Sequence, residues 1–409
     1  MRDIIIIGGG ASGLVAAIYA SKSGKKVTIL EKNKTCGKKI LITGNGKCNY
    51  YNDDQSLSHY HSNNREILGS ILTKENLEEV KQLFNSLGII PRIKDDYYYP
   101  YSNQATSIQT ALIKECEINN VEIITETEVF NLSKENNIYK IETNKGIYKS
   151  NKVILSTGSF ACPKTGSDGL GYKLLTSLGH SLITPLPALV QLKANTNYLK
   201  EWHGIRCDVS VSLLENNQVI STQIGEIQLT DYGVSGICIF CLSGQVSIGL
   251  SKNKKEQIQI NFLHPFNIKT KEEFVTWMNN RNNIVKNRTI SDLLDGLLNY
   301  KLINLILKLS KIDRNSYWHN LSDKEKYLLG NNLTNFILDI IGTNSFEQAQ
   351  TVTGGIPLTE INLNTMESIY NKGIFITGEL LDIDGDCGGY NLTNAWITGY
   401  LAGKDSCND

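Results

Sequence analysis

Ile4-Ile-Ile-Ile-Gly-Gly-Gly-Ala-Ser-Gly13 decides the fold. Four consecutive β-branched residues read as a parallel strand covered on both faces, because a half-exposed strand would alternate. Gly8 breaks the run, and Gly8 to Gly13 fits G-x-G-x-x-G. In such a loop Gly8 permits the tight turn, Gly10 lets backbone approach a pyrophosphate, and Gly13 lets helix pack on strand. Ala11 and Ser12 then open a helix whose N-terminus faces the phosphate charge. Ser12 to Ser23 is alanine-rich and helical, Gly24 ends it, and Val27 to Leu30 is a second strand. The chain therefore opens as a doubly wound α/β fold. Glu31 follows Gly13 by 18 residues. A carboxylate there accepts from adenosine ribose hydroxyls and disfavours a 2′-phosphate, so the dinucleotide is FAD or NAD rather than NADP.

The rest of the chain chooses between the two. Thr157-Gly158 follows the strand Val153 to Leu155, where backbone must pass close to a dinucleotide. Ile374 to Ile376 leads to Gly378-Glu379, and a carboxylate at that point suits ribityl hydroxyls. Gly388-Gly389-Tyr390-Asn391-Leu392 opens a helix to Ala402. A helix N-terminus suits the negative charge of a reduced flavin at N1/O2, a requirement NAD lacks. The cofactor expected is tightly bound FAD. Asp382, Asp384 and Asp386, just before this helix, are expected to face solvent, since ionised groups buried beside an anionic hydroquinone would be costly.

Residues 65–88 and 104–119 read as helices, Val121 to Ile124 as a strand and 138–150 as a hairpin. From about 189 the texture changes to alternating segments (207–214, 218–224, 246–250, 256–262), followed by a polar helical stretch from about 270 to 341. Glycine-rich apolar α/β sequence returns near 351. A Rossmann-like FAD domain built from residues 1–188 and 351–409, interrupted by a β-plus-helical substrate domain over 189–350, is the simplest architecture.

With 41 basic and 41 acidic residues the chain has no bulk pull on nucleic acid or anionic lipid, so neither partner is expected. No apolar run approaches the ~20 residues of a membrane span. The N-terminus is too short and glycine-bound for a signal peptide, and nine cysteines without one indicate reduced thiols in the cytoplasm. Nothing in the sequence bears on oligomeric state.

Four segments carry a resemblance: Gly37-Lys-Lys-Ile-Leu-Ile-Thr-Gly-Asn-Gly-Lys-Cys-Asn49, Pro163-Lys-Thr-Gly-Ser-Asp-Gly-Leu-Gly-Tyr172, Thr353-Gly-Gly-Ile-Pro-Leu-Thr-Glu-Ile361, and Gly378-Glu-Leu-Leu-Asp-Ile-Asp-Gly-Asp-Cys-Gly-Gly-Tyr-Asn-Leu392. Over nearly its whole length the chain resembles a bacterial family of NAD(P)/FAD-dependent oxidoreductases that includes aminoacetone-oxidase-like FAD enzymes. The resemblance implies a glutathione-reductase-like FAD fold with an inserted β-barrel and helices. It implies that Gly8 to Gly13 and Glu31 hold the AMP half, that Lys39, Gly44, Gly46 and Cys48 lie along pyrophosphate and flavin, and that Val129 lies near adenine. Gly378, Glu379 and Gly388 to Leu392 would hold the ribityl chain and ring. Lys32, with Lys34, Lys38 and Lys39, reads as lining phosphate or solvent. Two departures, Tyr97-Tyr98-Tyr99-Pro100-Tyr101-Ser102 and Ser235-Gly236-Ile237, flank the expected substrate region, so no substrate is inherited.

Cys238 and Cys241 match C-x-x-C but sit in an apolar stretch, where cysteine acts as a small hydrophobe. Cys48 and Cys387 read as packing near the cofactor rather than redox groups. His59 and His61 lack a third ligand for metal and read as solvated loop residues. Residues 97–101 form a hydrophobic wall or supply a phenolic proton donor. No catalytic residue is assigned beyond the candidates Cys48, Tyr99 and Tyr101, and no metal site is expected.

The chemistry expected is hydride transfer between flavin N5 and a small organic substrate. No second G-x-G-x-x-G is present, so NADH or NADPH would dock transiently, or the substrate would reduce the flavin and oxygen reoxidise it. A reductase of a carbonyl or conjugated enone is favoured. The alternatives are an amine oxidase producing hydrogen peroxide, a flavin-dependent RNA-modifying enzyme, and a non-catalytic flavin-binding protein.

Overall fold

The computed structural model describes residues 2–408. Contacts divide the chain into two compact units, one of Met1–Pro187 with Phe346–Asp409 and one of Ala188–Ser345.

The first unit is organised on a parallel sheet. Strand β1 (Arg2–Ile7) lies between β2 (Val27–Leu30) and the strand Gly146–Leu155, both parallel to it. Glu122–Ile124 extends the sheet beside β2, and Ile374–Ile376 extends it beside Gly146–Leu155. Ile4 to Ile7 are all buried, as a strand covered on both faces requires. Helix α1 (Ala11–Ser21) follows β1 directly. Against it packs the closing helix Tyr390–Asp405, in a close approach. A Cβ at Gly399 would overlap the Ser12 carbonyl oxygen, and one at Gly403 that of Ala16. Two glycines one turn apart thus set the two helices in register and bring their N-termini to the same end of the sheet.

The second unit contains a closed six-stranded antiparallel barrel in the order Leu192–Ala194, Gly233–Ser235, Gln218–Leu229, Arg206–Glu215, Glu256–Asn261, Phe336–Thr343. Helices Lys271–Ile284, Tyr300–Leu309 and Asp323–Thr334 complete it around a core that includes Trp202, Phe274 and Trp318.

Four sequence expectations are corrected. Residues 246–250 are not a strand but the last turns of helix Ile237–Ser251, where Cys238, Ile239, Leu242 and Val246 bury one face at helical spacing. The helical stretch stops earlier than 341, because Phe336, Leu338 and Ile340 alternate inward and close the barrel. The helix expected over 65–88 is split into a 3-10 helix Arg65–Ser70 and an α-helix Lys74–Ser86, the second starting where the Thr73 side chain accepts from the Asn76 N–H. The strand that starts at Gly146 runs unbroken to Leu155, so hairpin and buried strand are one element.

Candidate functional site

The glycine loop shows which of its residues serve the fold. Gly8 has φ +101°, which L side chains rarely adopt, and a Cβ there would overlap Ser156. A Cβ at Gly13 would overlap the Gly8 carbonyl oxygen. Gly10 differs, because a Cβ there meets nothing closer than Ser156 O at 3.9 Å. Its φ of −79° is open to any residue. The fold therefore makes no steric demand for glycine at the N-cap of α1, and leaves open space beside it of the kind a dinucleotide pyrophosphate would need. Buried Glu31 closes the loop from the end of β2: Oε2 accepts from the Gly9 N–H (2.7 Å), and Oε1 from the Asn33 N–H (2.7 Å) and Nδ2 (2.8 Å). Lys32 is engaged in ion pairs with Asp168 and with Glu128 (3.2 Å).

The second half of the cradle comes from distant sequence. Lys39 Nζ lies 2.6 Å from Glu379 Oε2, which also accepts from Ser159 Oγ (2.8 Å). The Gly378 N–H donates to Thr398 Oγ1 of the closing helix (2.9 Å). A hydroxyl chain joins Ser156 to Thr377 (2.7 Å) and Thr377 to Ser12 (3.0 Å), tying the Thr157-Gly158 turn, the Gly378 turn and α1 together. Gly44, Gly46 and Cys48 all have positive φ in one tight loop, with the Cys48 N–H donating to Thr43 O (3.0 Å). Burial pushes the Cys48 thiol up to about 12, so it packs as a thiol and is no nucleophile at neutral pH. Burial also raises the phenol of half-buried Tyr99, while Tyr101 is 69% exposed. Val129 is buried at the start of strand Val129–Glu135. Cys238 is held in its helix, with Sγ donating to Glu226 O (3.5 Å).

The loop before the closing helix overturns one expectation. Asp382, Asp384 and Asp386 do not face solvent; all three are buried. The physical reason is pairing: strand Asp384–Gly385 lies antiparallel to Tyr60–His61, with Asp384 opposite His61. Asp382 accepts from the Asn63 N–H (2.9 Å) and Nδ2 (3.2 Å), and burial raises its carboxyl. Asp386 sits between two imidazoles, 3.0 Å from His59 Nδ1 and 3.2 Å from His61 Nε2. His59 and His61 are thus partly exposed but held by Asp386, rather than free in a loop. The His59 ring stacks on Tyr390 (centroids 4.6 Å, 15°). Burial pushes Asp384 up to about 7, against the opposing pull of His61 and of a hydrogen bond from Thr353.

The first turn of the closing helix is anchored by the same loop. Asn391 clasps Gly385, accepting from its N–H (3.0 Å) and donating to its carbonyl (2.8 Å). Asn52 Nδ2 reaches Gly388 O (3.2 Å) and Tyr390 OH (3.0 Å). Among polar atoms buried here without a hydrogen-bond partner are Thr393 Oγ1, Asn394 Oδ1 and Asp384 Oδ1. Buried polar atoms of this kind are uncommon in native proteins, and three of them cluster around the start of the closing helix. The signal for this cluster was in the sequence, as aspartates at every second position from 382 to 386 and histidines two apart at 59 and 61.

A Ser–His–Glu line also exists, which no motif announced. His180 Nε2 lies 2.8 Å from Ser368 Oγ, and Nδ1 2.8 Å from Glu360 Oε2. Ser368 is buried and accepts from the Tyr370 (3.2 Å) and Asn371 (3.0 Å) N–H groups, so it ties a turn rather than attacking a substrate. Among the described residues no group of three or more His, Cys, Asp or Glu is arranged to hold a metal ion, and no helix is long and apolar enough to cross a membrane.

The HI0933-like protein Rossmann domain matches this chain over residues 2–405. The chain belongs to the HI0933-like family. It is 38% identical over 407 residues to the 3-dehydro-bile acid delta(4,6)-reductase of Clostridium scindens, covering 99% of this chain and 98% of that protein. It is 26% identical over 406 residues to the ribosomal RNA dihydrouridine synthase of Escherichia coli K12, covering 98% and 97%. Among solved structures it is similar to a 3-ketosteroid-delta4-(5alpha)-dehydrogenase from Rhodococcus jostii RHA1, at a TM-score of 0.52 and 13% identity over all of this chain and 97% of that one. A flavocytochrome c3 fumarate reductase in its open conformation matches at 0.51 and 13%, over 99% and 78%. At such identity these two speak for the fold alone. The resemblance and the fold class read from the sequence, a Rossmann-like FAD-binding domain with an inserted barrel and helices, are the ones found. An FAD-dependent oxidoreductase is what this HI0933-like chain is by family and fold.

Proposed function

We propose that this HI0933-like protein reduces a carbon–carbon double bond conjugated with a carbonyl, using tightly bound FAD and NADH or NADPH as the electron donor. The observation that carries the cofactor in this reading is the cradle at Gly10, where the fold leaves open the space a Cβ would fill while a Cβ at Gly8, Gly9 or Gly13 would overlap protein atoms. Gly8 to Gly13 and Glu31 would hold the AMP half, and Lys39, Gly44 and Gly46 the diphosphate. Glu379 and Gly388 to Leu392 would hold the ribityl chain and ring. The bound flavin supplies two-electron transfer. The chain's own residues position it: the Lys39–Glu379 pair fixes a carboxylate beside the Gly378 turn, and Asn391 fixes the helix start.

The enone class comes from the relative at 38% identity, whose name describes reduction of double bonds in a 3-keto steroid skeleton. A second reading rests on the relative named as a ribosomal RNA dihydrouridine synthase. Uracil offers the same chemical unit, a double bond conjugated with a carbonyl, so the site chemistry need not change. The balance of 41 basic and 41 acidic residues weighs against RNA as the substrate.

The test is anaerobic stopped-flow on the flavin-loaded protein. NADH or NADPH should bleach the flavin, and a 3-keto-4-ene steroid should restore its colour. Restoration by a uridine-containing RNA alone would favour the second reading. Bleaching by a primary amine, with none by either nicotinamide, would replace both with an amine oxidase.

A further inference from the structure

Strands Tyr51–Asn52, Tyr97–Pro100 and Pro91–Lys94 form a small antiparallel sheet whose two faces differ. One face is covered by helix Lys74–Ser86. There Tyr51 and Tyr98 are cross-strand partners with their rings edge to face (5.3 Å, 83°), and Lys81 lies over both and pairs with Asp53 (2.6 Å). The other face meets the cradle. Asn52 Nδ2 donates to Gly388 O (3.2 Å), a Cβ at Gly388 would overlap Tyr97 Cε1, and one at Gly44 would lie 3.6 Å from Tyr99 Cε1. Register carries this face outward. Lys94 stands opposite Tyr97 and Arg92 opposite Tyr99, and directly opposed residues of an antiparallel pair share a face. Two rungs result, Asn52–Tyr97–Lys94 and Tyr99–Arg92, and Lys94 is two strand spacings, about 10 Å, from Asn52. Arg92 and Lys94 are exposed, and neither side chain has an ion-pair or hydrogen-bond partner among the described residues. The turn carboxylates Asp95 and Asp96, both at positive φ, pair with neither cation.

We propose that Arg92 and Lys94 hold the diphosphate of the dihydronicotinamide donor while its ring reaches the flavin across Tyr99 and Tyr97. The inference rests on the donor named under the proposed function and deepens it. The chain carries a single G-x-G-x-x-G, and that loop with Glu31 serves the FAD, so the donor meets no second dinucleotide loop. The charge of its diphosphate must then be met by side chains. Lys32, Lys39 and Lys81 are already paired with carboxylates, whereas Arg92 and Lys94 are free and stand on the face that meets the cradle. Arg92 offers a planar fork to two phosphate oxygens, and Lys94 adds a point charge one rung away. Tyr97 and Tyr99, between the cations and the cradle, present rings on which a flat heterocycle can stack. In such a donor one ribose separates the nicotinamide from the diphosphate, so cations one or two strand spacings from the cradle lie within its span.

Isothermal titration of the oxidised, flavin-loaded protein with NAD⁺ and NADP⁺ reads this site without turnover. R92Q and K94Q should each weaken binding of the nucleotide the wild type prefers by about tenfold, and the double variant by more. R92K should recover part of the loss, because a point charge replaces the fork. Wild-type affinity should fall with added salt, and that of the double variant should fall less. Flavin content and Tm should match wild type, since both side chains are exposed. In anaerobic stopped-flow, the donor concentration for half-maximal flavin reduction should rise by the same factor, with the limiting rate and reoxidation by the enone unchanged. Equal nucleotide affinity in the double variant and wild type would overturn the proposal. So would a defect confined to reoxidation by an acidic enone, which gives the pair to the substrate, or loss of flavin, which gives it to FAD. If neither nicotinamide binds or reduces the wild type, the donor reading itself falls and this site with it, a result distinct from variants that match a donor-reduced wild type.

Discussion

Lys39 and Glu379 stand 340 positions apart in the chain and meet at 2.6 Å. Both are largely buried, so the pair is shielded from the screening that makes exposed ion pairs weak. It joins the turn after β2 to the turn after the strand Ile374–Ile376, the two segments expected to meet the middle of FAD. Lys39→Met should leave Glu379 charged without its partner beside the cofactor diphosphate. We expect FAD affinity to fall at least about tenfold, or 1.4 kcal/mol. Titration of the apoprotein, followed by quenching of FAD fluorescence, checks it. Unchanged affinity would remove this pair from the cofactor site.

Gly10 and Gly13 should fail in different ways. A Cβ at Gly10 meets no protein atom closer than 3.9 Å, so Gly10→Val should fold with an unaltered circular dichroism spectrum and carry no flavin. Gly13→Ala drives a methyl into the Gly8 carbonyl and should destabilise the protein by about 1–3 kcal/mol whether or not flavin is present. The ratio of flavin to protein absorbance, with the melting temperature of each apoprotein, separates the two.

The contact between α1 and the closing helix gives a third expectation. Gly403→Leu requires room where Ala16 O, Ala16 Cα and Tyr19 already lie. The helices must part, so Tm should fall, and the N-terminus of the closing helix should lose its register with the glycine loop. Flavin content of the soluble fraction should fall with it. A variant with normal Tm and full flavin would show that the close approach does not position the site.

Asp384 makes stability depend on pH with a definite sign. Its folded-state pKa is raised from 3.8 to about 7, so the native state holds the proton more tightly than the unfolded chain. The contribution is complete below about pH 4 and is lost as pH rises through about 7, a span worth ~4 kcal/mol. Raised Asp382 adds in the same direction. Asp384→Asn removes the proton exchange, so its unfolding free energy should fall less than that of wild type between about pH 4 and about pH 8. Urea unfolding at both ends of that range measures the difference. A wild-type curve as flat as that of the variant would mean Asp384 is ionised in the folded protein.

Much of this protein was written locally. The run Ile4 to Ile7, the loop Gly8 to Gly13 and the helix after it are all set by neighbours within a few residues of each other, through β-branching, turn conformation and helix propensity. The sequence therefore determined the βαβ opening, the family resemblance and the glycine-led start of the closing helix. The barrel segments at 207–214, 218–224 and 256–262 were legible for the same reason, as plain alternation. What alternation cannot tell is which partner covers a segment. Residues 246–250 alternate and are helical, because the turns before them bury a helical face in the barrel unit. Phe336–Thr343 follows helical sequence and is a strand, because two edges of the barrel stood ready to pair with it. Asp382 to Asp386 read as a solvated acidic loop, and only pairing with Tyr60–His61, more than 300 positions earlier, takes those carboxyls out of water. Burial is a property of contacts between distant segments. The tertiary structure alone decided that burial raises the Asp384 carboxyl, that His59 and His61 flank Asp386, and that Lys39 finds Glu379.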